Sequence, residues 1–139
     1  MMIDFNFETD FLLEGIENYQ KWIIDVIVSY GFEVGDISYI FCDDEYLLQI
    51  NQQYLNHDDL TDIISFDYSE DKLISGDIFI SVERVKENAN QFKVDFQHEL
   101  LRVMCHGILH FIGFKDKNKK DQLEMTKNED ICIKKFINI

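Results

Sequence analysis

Apolar side chains change their period as this chain advances, and that change limits the folds open to it. Ile3, Phe5 and Phe7 alternate with polar neighbours, as in a half-buried strand. From Leu13 to Tyr30 the residues Ile16, Tyr19, Ile23, Ile27 and Tyr30 recur at helical spacing, and Gly31 can close the helix. Alternation returns at Ile37, Tyr39 and Phe41. Asp43 and Asp44 offer N-caps for a helix through Tyr54. Two further strands fit TDIISFDY and LISGDIFIS, both dense in β-branched and aromatic residues. Ser81 can cap a helix to about Phe92, and Asp95 another to about Ile112. A last helix is expected from about Asp121 to Phe136. The order predicts one α+β domain over residues 1–139, a small mixed sheet covered by helices.

Composition supports a folded chain and narrows its partners. With 139 residues, 46% of them apolar, a core can form despite a net charge of −14. No apolar run is long enough to cross a bilayer, and the N-terminal MMIDFNFETDF lacks the pattern of a secretory signal. Cys42, Cys105 and Cys132 are odd in number and far apart, which suits reduced, buried thiols in a cytoplasmic protein. The acidic balance has the wrong sign for gripping nucleic acid by general phosphate attraction, so any basic patch must be local.

The stretch HGILHFIGFKDK, His106 to Lys117, carries the clearest chemistry. His106 and His110 are four residues apart, so on a helix both reach towards one point and can share a metal ion. A helix that merely carries two histidines is the plain alternative. Gly107 stands where a zinc protease of the HExxH type has its glutamate. A glycine inside a helix costs about 1 kcal/mol against alanine, which suggests that backbone or substrate approaches closely there.

The run resembles HGxLHxxGYDH, the hallmark of the YbeY family of metal-dependent, single-strand-specific endoribonucleases. Upstream, NQQYLNHDDLTDIISF is similar to the family's LNxxYRxxDxPTDVLSF segment, and ISGDIFIS to its LGDIxIS strand. The C-terminal MxxxE falls on Met125 to Glu129. The resemblance spans about positions 47 to 129 and implies a role in 16S ribosomal RNA 3′-end maturation and ribosome quality control. It implies ribosomal RNA, the ribosome and its associated proteins as partners, and a single zinc ion whose bound water does the chemistry.

In the family three histidines hold zinc, at the first, fifth and eleventh motif positions. These fall on His106, His110 and Asp116, so a carboxylate replaces the third histidine. A carboxylate is an ordinary zinc ligand, and an oxygen donor also opens the site to harder ions such as manganese. His57 remains open as an alternative third ligand. His98, eight residues before His106, is about 12 Å away along a helix, too far for the same ion.

The family's arginine after tyrosine is Leu55 here, and its proline is Leu60. Arg84, Lys86, Lys93 and Arg102 are expected to be mostly solvated surface residues, whereas Lys115 and Lys117 flank Asp116 and are the candidates for phosphate contacts. Glu99 shares the helical face of His106, where an exposed surface position is expected over a partner to the metal site. Asp77 is expected to order a turn or strand end. A peptide hydrolase and a ribosome-binding module with a structural metal remain as other readings.

Overall fold

Among the described residues, four strands and five helices follow one another as β1 (Met2–Phe7), α1 (Ile16–Ser29), β2 (Glu33–Cys42), α2 (Asp44–Leu55), β3 (Ile63–Asp67), β4 (Leu73–Ser81), α3 (Val82–Phe92), α4 (Phe96–Ile112) and α5 (Lys119–Ile137). The structure, a computed structural model, describes residues 2–56 and 60–137. The sheet order is β1-β2-β4-β3. β1, β2 and β4 run parallel, and β3 lies antiparallel on the edge beside β4. This is the mixed α+β sheet that the periodicity predicts.

Element ends shift where packing or backbone geometry outweighs local pattern. Gly15, left-handed at φ 72°, sets the start of α1 at Ile16, so Leu13 precedes the helix and is buried outside it. Asp43 caps α2, its carboxylate accepting from the Tyr46 N–H at 2.8 Å. Asp44 does something else: it accepts from the Ser81 hydroxyl at 2.7 Å and pairs with Arg84 at 3.1 Å. Ser81 caps α3 by accepting from the Arg84 N–H. Asp95 precedes α4 without a side-chain cap bond. α5 begins at Lys119 rather than Asp121, with the Asn118 side chain accepting from the Asp121 N–H at 2.9 Å.

Helix α4 is the axis of the fold. Its residues from Leu100 to Phe111 are buried on several sides, because it packs on the sheet, on α3 and on α5. A Cβ at Gly107 would sit 3.0 Å from one Ile78 methyl and 3.1 Å from the Ile63 methyl, so the missing side chain lets α4 lie close on β3 and β4. Sheet, not substrate, explains this glycine. The Tyr39 hydroxyl in β2 donates to the Met104 carbonyl at 2.9 Å, tying sheet to helix inside the core. α5 forms an outer layer on α4 and α1, fixed by the buried Trp22 indole N–H donating to the Cys132 carbonyl at 2.7 Å. On the other face of the sheet α2 stands over a smaller core of Cys42, Leu47 and Ile64. All three cysteines are free and buried, as expected from the sequence.

Gly76 in β4 is the tighter contact. A Cβ there would stand 2.5 Å from both the Phe111 ring and the Phe66 carbonyl oxygen. Overpacking of this kind costs about 1–3 kcal/mol. Gly76→Ala is therefore expected to lower the unfolding free energy obtained from urea titration by that much. Gly107→Ala meets only methyl ends and gains helix propensity, so it should change stability by less than about 1 kcal/mol. A neutral Gly76→Ala would show that β4 and α4 are less closely packed than described.

Candidate metal centre

His106 and His110 lie one turn apart on α4, half-buried at its edge between the sheet and α5. Gly113 ends the helix in a positive-φ conformation, with the Phe114 N–H bonding back to the Leu109 carbonyl at 2.9 Å. The chain then reverses through 114–118 before α5, and this reversal carries Asp116 back over the histidines. Asp116 Oδ2 lies 3.3 Å from His106 Nε2 and 3.3 Å from His110 Nε2. The two Nε2 atoms are 2.9 Å apart.

Hydrogen bonds on the far side of each ring fix which nitrogen is free. His110 Nδ1 is 2.9 Å from the Phe114 carbonyl, which can only accept, so Nδ1 carries the hydrogen. His106 Nδ1 is 2.6 Å from Glu129 Oε2, and the neutral ring donates there too. Both Nε2 lone pairs therefore point into the space that Asp116 closes. A tetrahedral ion with bonds of about 2.0–2.1 Å places its ligand atoms about 3.3 Å apart. The three donors fit a divalent ion and leave the remaining position open to solvent or substrate. A proton competes for the same place. Burial opposes charging of His106, but the hydrogen bond and charge of Glu129, with Asp116 and Asp62, outweigh it and raise its pKa.

Glu129 is the residue that sequence reasoning left without a role. It is buried on α5 and accepts from His106 and, at 2.8 Å, from Arg102. Arg102 also donates to Asp130 at 2.8 Å. The chain of contacts runs Asp130–Arg102–Glu129–His106 and orients the imidazole through α5. The MxxxE match contained this residue, but nothing local shows that it meets a histidine 23 positions away. Arg102 is thus a half-buried structural cation rather than a solvated one. Arg84 is held by Asp44 and serves the α2–α3 junction.

Beside the three donors a cleft of about 280 Å³ opens, lined by Asp62, Ile63, Glu99, Arg102, Val103, His106, Asp116 and Glu129. Glu99 is only 4% exposed, which corrects the expectation of a surface residue. It does not touch His106 as a partner; it faces the cleft, where burial pushes its carboxyl up to about 7, against the pull of Arg102 and with help from Asp62 and Glu129. Burial also raises Asp62. Lys115 and Lys117 are exposed on either side of Asp116. His98 lies in the first turn of α4 outside the donor group, and His57 lies outside the described residues. Leu55 and Leu60 are exposed. Asp77 is not at a turn; it sits within β4, opposite Phe66.

Fold and site together define an α+β protein with a two-histidine, one-carboxylate cup at the end of a buried helix. Comparison with known proteins agrees with that class. The profile of the family described as Endoribonuclease YbeY matches residues 6–137. The Endoribonuclease YbeY of Flavobacterium psychrophilum is 57% identical over 135 residues, covering 97% of this chain and 96% of the relative. That of Karelsulcia muelleri is 46% identical, covering 95% and 94%. The solution structure of TM1509 from Thermotoga maritima superposes with a TM-score of 0.71 at 29% identity, covering 97% of this chain and 89% of that one. The chain belongs to the YbeY endoribonuclease family.

Glu99 gives the site a pH signature. Its folded pKa lies above the ordinary value of 4.5, so on raising the pH the unfolded chain loses this proton first. Folding is then penalised progressively between about pH 4.5 and 7, and fully above that. Glu99→Gln removes the ionisable group. In thermal melts it is expected to match the parent near pH 4.5 and to exceed it at pH 8 by about 1 kcal/mol or more. Equal destabilisation at both pH values would mean that Glu99 is held as a carboxylate.

Proposed function

We propose that this protein is a zinc-dependent endoribonuclease of single strands, acting in the 3′-end maturation of 16S ribosomal RNA and in ribosome quality control. The observation that carries this reading is the convergence of His106 Nε2, His110 Nε2 and Asp116 Oδ2 at the mouth of a polar cleft. An ion held there supplies Lewis acidity towards a phosphoryl oxygen and a water whose pKa falls towards neutrality.

The remaining groups have supporting roles. Glu129 and the Phe114 carbonyl hold the two imidazoles in the tautomer that offers Nε2. Lys115 and Lys117, exposed on either side of Asp116, are the candidates for contacts to a phosphate next to the cleft. Asp116 adds a negative charge that a third histidine would not, which weakens the ion as a Lewis acid and lets manganese compete better with zinc. Peptide hydrolysis is disfavoured because the general-base position of HExxH is Gly107, pressed against Ile78 and Ile63. The same reading places the protein in the cytoplasm, with ribosomal RNA and the ribosome or its associated proteins as partners.

Metal analysis beside RNA cleavage tests the proposal. Asp116→Ala is expected to lose most bound metal and all metal-dependent cleavage of single-stranded RNA. Glu129→Gln should bind metal about 10–100-fold more weakly. Full metal content in Asp116→Ala would remove it from the ligand set and make His57 the next residue to replace. Ribosome co-sedimentation without cleavage by the parent protein would favour a binding module instead.

A further inference from the structure

The face of the sheet opposite α4 is only half covered. α2 packs over it as far as Tyr54, and beyond that ring a cleft of about 280 Å³ opens, lined by Ile50, Tyr54, Phe66, Tyr68, Asp77 and Phe79. Its floor is aromatic: Phe66 and Phe79 meet edge to face with centroids 5.9 Å apart, and Tyr54 meets Phe66 in the same way at 5.9 Å. Tyr54 is 63% exposed and Tyr68 60%, a large apolar area to leave in water. Asp77, paired with Phe66 across the β3–β4 ladder, brings the one carboxylate among these lining residues, and Tyr68 lines the same cleft.

Charge selects the occupant. The chain carries −14 and this lining holds no cation, so a phosphate gains nothing here. Flat aromatic faces beside one acceptor carboxylate suit an unpaired nucleobase that presents N–H donors. The cleft and the candidate metal centre are both lined by residues of β3. Ile63, at the start of β3, lines the metal cleft, and Phe66, on the same strand, lines this one, with Tyr68 just beyond its end. At about 3.3 Å per residue the two are about 10–17 Å apart. Since β3 is an edge strand, a single strand of RNA can pass around it from one cleft to the other.

We propose that this cleft is a nucleobase subsite, in which a splayed base of single-stranded RNA stacks on Tyr54 and Tyr68 and donates to Asp77. Guanine fits best, because its N1–H and N2–H₂ groups address both carboxylate oxygens. The subsite rests on the endoribonuclease reading but not on the identity of the metal or its third ligand.

The test uses the full-length protein stripped of metal, so that binding is read without cleavage. GMP, AMP, CMP and UMP are titrated while the tyrosine and phenylalanine ring signals are followed by NMR. Fluorescence anisotropy then gives the affinity of single-stranded eight-nucleotide RNAs with and without guanine. GMP is expected to shift Tyr54, Phe66 and Tyr68 at the lowest concentration. Tyr54→Ala and Tyr68→Ala should each weaken the guanine-containing RNA about tenfold, and Asp77→Asn should abolish the preference for guanine while keeping affinity for uridine-rich RNA. A parent protein that cleaves RNA, yet whose affinity is unchanged in the Tyr54→Ala/Tyr68→Ala double variant, overturns the subsite alone. A parent protein that neither binds nor cleaves RNA overturns the reading beneath it.

Discussion

The close seating of α4 on β3 and β4 is the constraint from which the site follows. With no side chain at Gly107, the helix lies against Ile63 and Ile78, and its opposite flank is free to receive α5. One edge of the helix is then left between sheet and α5, and His106 and His110 occupy that edge half-buried. Rotation of α4 by a fraction of a turn would carry both imidazoles away from Asp116 and Glu129. Tyr39 at Met104 and Phe111 over Gly76 lock that rotation from the sheet side. Precision at the donors is thus supplied by packing, not by the donors themselves.

Electrostatics in the cleft runs against first intuition for a protein that meets RNA. Asp62, Glu99, Asp116 and Glu129 line it against the single guanidinium of Arg102. Burial moves Glu99 and Asp62 towards their neutral forms. A protonated acid repels an approaching phosphodiester far less than a carboxylate does, and a divalent ion at the histidines would add two positive charges. Glu129 is tied down within the group, because Arg102 and the His106 N–H both bond to it. Local chemistry, rather than net charge, decides what this surface accepts.

Much of this was legible in the chain. Periodicity gave every strand and helix in order, since each period reports a face that must be buried. The spacing of His106 and His110 was equally readable from helix geometry, whereas Asp116 was reached only through the resemblance to the family's motif. What escaped depends on contacts between distant segments. Glu129 meets His106 only because α5 folds back on α4; Glu99 is buried only because the cleft closes over that face of α4. Asp44, which reads locally as a cap, is drawn away by Ser81 and Arg84. Leu13 is buried by tertiary packing outside any helix, so its apolar character misplaced the start of α1.

The central claim is that two imidazoles and one carboxylate hold the ion. X-ray absorption at the zinc edge of the zinc-loaded, full-length protein tests it most directly. The account predicts nitrogen and oxygen neighbours only, at about 2.0–2.1 Å, with outer-sphere scattering from two imidazole rings. A third imidazole, or a sulfur neighbour at about 2.3 Å, would contradict it.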